Sequence, residues 1–451
     1  MTRPVAQIVP PYLLAQLANS EDALADAARQ TLVADQRRRT ARQTMLPPSA
    51  ATKRATSAAL DRAIHDAGHT ENLPGRLVRA ESADATGDAA VDEAYDGLGA
   101  TWKLYRQVYR RNSIDDAGME LIGTVHYGER YQNAFWNGDQ MVFGDGDGQI
   151  FGRFTASLDV IGHELTHGVT EHTAGLVYSG QPGALNESVS DVFGILVKQY
   201  ALGQDAAASD WLIGADLLMP GVKGVALRNM LHPGTAYDDP RLGKDPQPAD
   251  MTGYVKTRSD NGGVHYNSGI PNRAFALAAT VIGGKVWDSV GRVWYDVLTG
   301  SEITADCDFA TFARLTAAAA DTRFGADSAQ ARAVRDAWAT VGVTSGSAPA
   351  GTETPPPVGK NSSLLLRRTG GFAGLTSERS TTLAELPKPD RRAWQGLLAE
   401  DTLPRLAADS RPRPDAFTYC VTCHDANVDV EVAEPDLPSP VRALFERTLL
   451  G

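Results

Sequence analysis

Five residues set the chemical question: His163-Glu164-Leu165-Thr166-His167. On a helix, positions i and i+4 share a face, so both imidazoles can reach one ion at about 2.0–2.1 Å. Glu164 follows the first imidazole directly and falls close enough to take a proton from a water beside that ion. The chemistry this spacing allows is hydrolysis. A solvated helix face can carry the same residues, so context has to decide. A catalytic zinc takes three protein ligands and keeps one position open. Glu187, 20 residues after His167, lies in a run from Gly183 to Asp191 that reads as a second helix, and is the candidate third ligand. Asp191 and Asn186 could each accept a hydrogen bond from the distal nitrogen of a ligand imidazole and fix its tautomer. In Asp260 to Gly269, Asp260 precedes His265 by five residues across a Gly-Gly turn. It could orient that imidazole, although the block alone reads equally as a structural turn.

These residues need elements to hold them. Ser157 to Val169 reads as a helix, and residues 100 to 160 mix β-branched and aromatic runs with Gly-Asp turns, suggesting strands and loops. Residues 270 to 343 read as almost entirely helical, with Phe275, Trp287, Val290, Val293, Trp294, Val297 and Leu298 at helical spacing. Ala15 to Arg39 suggests one or two weak helices, and Thr44 to Ser57 a linker. A Pro/Gly/Ser/Thr run, Ser345 to Ser363, is a second linker by composition. Beyond it, Ser363 to Arg367 reads as a strand, Arg391 to Leu398 as a helix, and Ala416 to Val432 as two strands around a turn.

Composition bounds the rest. The 451 residues are 42% hydrophobic and 22% charged, an ordinary globular balance. A net charge of −12 argues against a nucleic-acid partner. No apolar run approaches the roughly 20 residues of a membrane span. The N-terminal stretch is a poor secretory signal, so a cytoplasmic location is expected, with signal-independent export left open. Three cysteines make no disulfide framework. Charge is uneven: residues 1–57 hold four acids and eight bases, residues 346–451 hold 14 acids and 12 bases, and the middle carries −14. The basic head is either a solvated leader or a segment that docks on the acidic body.

The three blocks around His163, Glu187 and His265 resemble the thermolysin family of zinc metallopeptidases over about residues 60 to 343. The resemblance implies one catalytic zinc on His163, His167 and Glu187, with Glu164 activating water. It implies that His265 and Tyr178 stabilise the tetrahedral intermediate, that Asp260 partners His265, and that Asp191 and Asn186 support the ligands. Asn133-Ala134-Phe135-Trp136 matches the edge strand that pairs with the substrate backbone, and Arg228 the arginine on the carbonyl beyond the cut. Phe151, Phe154, Val160 and Leu227 match the pocket for the residue after the scissile bond, implying a preference for large hydrophobic residues there.

Departures are informative. Of the family's double calcium site, Asp159 and Asp210 are present, but Lys198, Leu212 and Ala215 stand where carboxylates are expected. The double site is therefore expected to be missing, with the Lys198 ammonium as counter-charge. The Asp145-Gly146-Asp147-Gly148 loop ends on Ala156 where an EF-hand needs a bidentate Glu. The head, with Ile8-Val9-Pro10-Pro11-Tyr12-Leu13-Leu14, resembles the propeptide of the protealysin subgroup, cut somewhere between Arg39 and Leu60. The tail, opening on Leu364-Leu365-Leu366-Arg367-Arg368-Thr369-Gly370-Gly371-Phe372-Ala373-Gly374, resembles emfourin, a protease inhibitor. Cys420-Val421-Thr422-Cys423-His424 has the spacing of a haem attachment site but sits in an alternating stretch that reads as a strand.

The implied fold is α+β: a two-lobed metalloprotease with a strand-rich N-lobe, a helical C-lobe and the zinc helix between, plus a short helical propeptide and a small α+β C-terminal domain. The expected divisions are a propeptide-like segment at 1–57, an N-terminal catalytic lobe at 58–169, a C-terminal lobe at 170–343, a linker at 344–361 and an emfourin-like domain at 362–451. The expected partners are peptide or protein substrates, with the chain's own head and tail as intramolecular partners. The expected activity is an endopeptidase regulated by that head and tail; the alternative is a catalytically silent peptide-binding scaffold whose tail binds other proteases.

Overall fold

The computed structural model describes residues 7–19, 24–44, 59–257, 259–343, 362–370, 377–399, 402–410, 417–423 and 428–450. Most of both expected linkers, the expected cleavage stretch beyond Thr44, the Gly371–Gly374 segment and His424 lie outside the described residues. Contacts divide the chain into two compact units, residues 1–255 with 264–349, and residues 256–263 with 350–451.

The first unit opens with helices α1 (Pro11–Ala18) and α2 (Leu24–Thr44). Pro11 suits the first turn of α1 because its missing N–H would be unpaired there anyway. Next come β1 (Arg62–Asp66), β2 (Arg76–Ala80), α3 (Ala89–Gln107), β3 (Leu121–Val125), β4 (Ala134–Trp136) and β5 (Met141–Phe143). Asp88 caps α3 by accepting from the Ala90 and Val91 amides. The sheet runs β2-β1-β3-β5-β4, which leaves β4 at an edge, antiparallel to β5. An edge strand has one row of backbone groups open to another chain.

The centre of the unit is α4 (Leu158–Glu171) packed on α5 (Gly180–Leu202). Gly194 lets them approach: a Cβ there would lie 2.5 Å from the Asp159 carbonyl oxygen. Two-residue pairs follow, β6 (Leu212–Ile213) with β7 (Arg228–Asn229) and β8 (Asp238–Asp239) with β9 (Gly243–Lys244). Helices α6 (Ser259–Asn267), α7 (Gly269–Ile282), α8 (Val290–Thr299), α9 (Phe309–Phe324) and α10 (Ala329–Thr340) complete the catalytic part of the chain. Segment α6 begins with a left-handed turn, φ +53° at Asp260, +52° at Asn261, +82° at Gly262 and +80° at Gly263. Glycine, Asp and Asn are the residues that tolerate this region best, which explains the sequence there.

In the tail, a four-stranded antiparallel sheet is ordered β11-β10-β12-β13. Its elements are β10 (Ser363–Gly370), β11 (Ser377–Thr382), α11 (Lys388–Ala399), α12 (Thr402–Asp409), β12 (Phe417–Cys423), β13 (Val428–Ala433) and α13 (Ser439–Leu450). It has its own core, with the Trp394 and Phe445 rings stacked at 4.9 Å and the Trp394 indole N–H donated to Thr448. Cys420 and Cys423 stand three residues apart on β12, and so on opposite faces of the strand.

Candidate active site

Helix α4 puts His163 and His167 one turn apart, and α5 presents Glu187 to both. Their ring Nε2 atoms are 3.0 Å apart, and each lies 3.6 Å from a Glu187 oxygen. Each ring's other nitrogen is engaged. His163 Nδ1–H donates to Asp191 Oδ1 at 2.8 Å, and His167 Nδ1–H to Asn186 Oδ1 at 2.8 Å. Asn186 is oriented by donating its own amide to the Leu176 carbonyl. Two bare imidazole lone pairs and a carboxylate therefore converge, all buried. Tetrahedral ligands at the usual zinc distances stand roughly 3.3 Å apart, close to this spacing. Glu187 Oε2 is buried without a hydrogen-bond partner among the described residues. These residues fit a zinc ion.

Glu164 is fully buried beside them, and its Oε2 accepts the Trp136 backbone N–H at 3.0 Å. Burial pushes its pKa well above the usual carboxylate range, and the Glu187 charge adds to this. Burial acts the same way on Glu187, but His265, His167 and His163 outweigh it and bring its pKa down. The His167 imidazole is pushed down to about 3, mainly by burial, which favours the neutral ligand form. Tyr178 donates its hydroxyl to Glu187, and its oxygen is 3.4 Å from His265 Nε2. Asp260 stands five residues before His265 in the left-handed turn.

The head lies in this cleft. Ile8 N–H donates to the Ala134 carbonyl at 3.4 Å, and Val9 N–H to Asn133 Oδ1 at 3.0 Å. Asn133 Nδ2 returns a bond to the Val9 carbonyl. Arg228 donates to the Ile8 carbonyl at 3.0 Å, and His265 Nε2 sits 3.1 Å from the Gln7 carbonyl. Ile8 is fully buried in the same apolar cluster as Phe151, Phe154, Val160 and Leu227. Further along, Asp35 accepts from Tyr131 at 2.5 Å and from Asn133 at 3.3 Å, and Tyr12 packs on Tyr266 with ring centres 4.4 Å apart.

His163, His167 and Glu187 converge here with Asp191, Asn186, Tyr178 and His265 around them and Glu164 buried alongside, while Asp260 lies in the turn before His265. Trp136, grouped with the peptide-binding edge, directs its backbone N–H at Glu164. Sequence reasoning missed Ser190, whose hydroxyl is 3.1 Å from His167 Nδ1, and Asn272, which donates to Asp191. Ser190 follows Asn186 by four residues on the same helix face, a signal that was available. Asn272 gave no local signal. Lys198 reaches Asp159 at 3.3 Å and Asp210 at 3.0 Å, as its position suggested.

A paired-imidazole helix, a facing carboxylate, an adjacent buried Glu and an edge strand holding peptide backbone define a metallopeptidase. Residues 14–171 match the thermolysin metallopeptidase catalytic domain, and residues 174–343 its alpha-helical domain. An extracellular metalloprotease of Pectobacterium carotovorum subsp. carotovorum is 53% identical over 343 residues, covering 76% of this chain and 97% of its own. Protease PrtS of Photorhabdus sp. (strain Az29) is 51% identical over 286 residues, 63% of this chain and 76% of its own. The precursor of protealysin, a metalloproteinase from Serratia proteamaculans, is 52% identical with a TM-score of 0.69, covering 75% of this chain and all of that one. The chain belongs to the thermolysin metallopeptidase family and is a metalloendopeptidase. Residues 366–449 match emfourin.

One expectation fails. The cytoplasmic location does not stand, because the Pectobacterium relative and a 50% identical minor metalloprotease of Serratia marcescens are both named extracellular. No helix among the described residues is long and apolar enough to cross a membrane.

Proposed function

We propose that this chain is the precursor of a secreted zinc endopeptidase that cuts before large hydrophobic residues, with residues 1–57 as a removable prosegment and residues 362–451 as an inhibitor module. One observation carries the reading: Gln7-Ile8-Val9 follows the edge strand with its carbonyls on His265 and Arg228. The Gln7–Ile8 bond then stands where a scissile bond would, and Ile8 stands in for the residue after the cut.

A zinc ion held by His163, His167 and Glu187 would polarise the scissile carbonyl and lower the pKa of the attacking water toward about 7. Glu164 takes the water proton and passes it to the leaving amine. His265 and Tyr178 donate to the developing oxyanion, and Asp260 orients His265. Asn133 and Ala134 hold the backbone by strand addition, and Arg228 holds the next carbonyl. The apolar pocket of Phe151, Phe154, Val160 and Leu227 selects the large side chain. Lys198 stands in for calcium as counter-charge to Asp159 and Asp210.

The test is zinc analysis with casein hydrolysis by processed wild type and Glu164→Ala. The expected result is one zinc per chain in both and a rate loss of about 10²–10⁴ in the variant. Equal rates would refute the mechanism, and absence of both zinc and hydrolysis would favour a silent scaffold. Adding residues 362–451 to the processed enzyme tests the inhibitor reading; undiminished hydrolysis would exclude it.

A further inference from the structure

Away from the cleft, three other segments of the N-lobe bring two imidazoles and a carboxylate together. His69 lies in the connection between β1 and β2, His126 directly follows β3, and Asp145 lies just after β5. One ligand atom from each lies within 4.8 Å of the others. His126 Nδ1 is 2.9 and 3.0 Å from the two Asp145 oxygens, and His69 Nδ1 is 3.5 Å from Asp145 Oδ2. The rings are 5.4 Å apart, and the His69 backbone N–H donates to the His126 carbonyl at 2.8 Å, which fixes the two segments together. Both histidines have left-handed backbones, φ +59° and +53°. None of the three belongs to the catalytic machinery.

We propose that His69, His126 and Asp145 form a second site for a zinc-class divalent cation, with its fourth position open to solvent. Imidazole and carboxylate donors favour zinc or cobalt, whereas calcium would want six to eight oxygens. Asp88 completes the arrangement. Its Oδ2 lies 3.1 Å from His126 Nε2, the carboxylate behind a ligand imidazole that fixes its tautomer and raises its basicity. Its other oxygen caps α3, so this support is itself anchored. The 3.5 Å separation is near the roughly 3.3 Å edge of a zinc tetrahedron, and the shorter His126–Asp145 contact opens by a few tenths of an ångström. Arg153, the neighbouring cation, is held by Glu93 at 2.6 and 2.7 Å. The site also touches substrate binding, because Gly144 and Gly146, on either side of Asp145, donate to the Asn133 and Tyr131 carbonyls.

The competing reading is a plain ion-pair cluster around a protonated His126. Titrating zinc by calorimetry into the full chain already loaded with one equivalent separates the two. The proposal expects a second equivalent to bind at micromolar concentration and to raise Tm. In His69→Ala, an exposed position that should not affect folding, the second event weakens at least about tenfold (the loss of one of three ligands) and the Tm response disappears. Casein cleavage at one equivalent, after processing, is unchanged. No second event in the wild type would overturn the proposal, and so would a second event of equal strength in His69→Ala.

Discussion

Asp191 holds Arg228 through both carboxylate oxygens, Oδ1 to Nη2 at 2.7 Å and Oδ2 to Nε at 2.8 Å. The same Oδ1 accepts the Nδ1–H of His163, and Asn272 donates to Oδ2. One buried carboxylate therefore joins a metal-facing imidazole to the arginine on the Ile8 carbonyl. Burial alone would raise the pKa of Asp191, but Arg228 and His163 outweigh it and hold the carboxyl well below its usual range.

Asp191→Asn should therefore damage two functions at once. Zinc affinity should fall about 10–100-fold, because the His163 ring loses its charged support. The Arg228 guanidinium, left buried without its counter-charge, should cost about 3–5 kcal/mol of stability. Chelator competition on folded protein measures the first, and urea unfolding the second. Unchanged zinc affinity in the folded variant would mean that Asp191 serves Arg228 alone.

Ile8→Asp should release the cleft in the uncut chain. It puts a carboxylate into an apolar cluster with Phe151 and Val160. Burying a polar group without a partner costs roughly 2–7 kcal/mol, so the head should undock rather than accept it. Even the low end corresponds to more than about a tenfold shift in docking. Hydrolysis of a fluorogenic peptide by the uncut variant should rise by at least that factor. A folded Ile8→Asp chain as silent as the uncut wild type would show that docking of Ile8 does not block the enzyme.

The chemistry was legible because it is local. His163 and His167 share a helix face by spacing alone, and Asn186 and Glu187 fall on the next predicted helix. The left-handed turn before His265 was written in Asp260-Asn261-Gly262-Gly263. The path of the head was not legible: bonds from Ile8 to Ala134 or from Gln7 to His265 span over a hundred residues, and only the charge contrast hinted at docking. Asn272 was missed for the same reason, since nothing near it in sequence points to Asp191. Within its own loop Asp145 reads only as part of an incomplete EF-hand. Its imidazole partners come from two other segments and follow no sequence spacing.

Acid should weaken the N-lobe through Glu81. Its oxygens accept two bonds from Arg62, at 2.7 and 2.8 Å, and one from Tyr95 at 3.2 Å, while Arg62 lies over the Tyr95 ring. The Arg62 bonds, chiefly, lower the Glu81 pKa. A depressed folded pKa stabilises above the unfolded value, about 4.3, and the contribution is lost as pH falls through the folded value. Glu81 is a quarter exposed, so the pair is worth only about 1 kcal/mol. Urea unfolding of Glu81→Gln should differ from wild type by about that amount at neutral pH, with the difference vanishing once the pH lies below the depressed folded pKa. A gap that persists there would assign the effect to packing rather than charge.

Lys198→Glu should convert a lysine-neutralised site into a calcium-dependent one. Asp159 is fully buried, with Oδ1 accepting from Ser157 and the Gly214 amide and Oδ2 facing the Lys198 ammonium at 3.3 Å. Removing the ammonium leaves a buried carboxylate uncompensated, a loss of about 3–5 kcal/mol, and the new Glu adds repulsion from both Asp159 and Asp210. Three converging carboxylates then begin the oxygen shell that calcium needs. The variant should melt well below wild type without calcium and recover with it, by about 2.7 kcal/mol when calcium exceeds its Kd a hundredfold. Wild type, whose carboxylates already have their cation, should melt at the same temperature with calcium or with a chelator. A calcium-dependent rise in the wild-type Tm that Asp159→Asn abolishes would mean that the ion, not Lys198, is the native counter-charge.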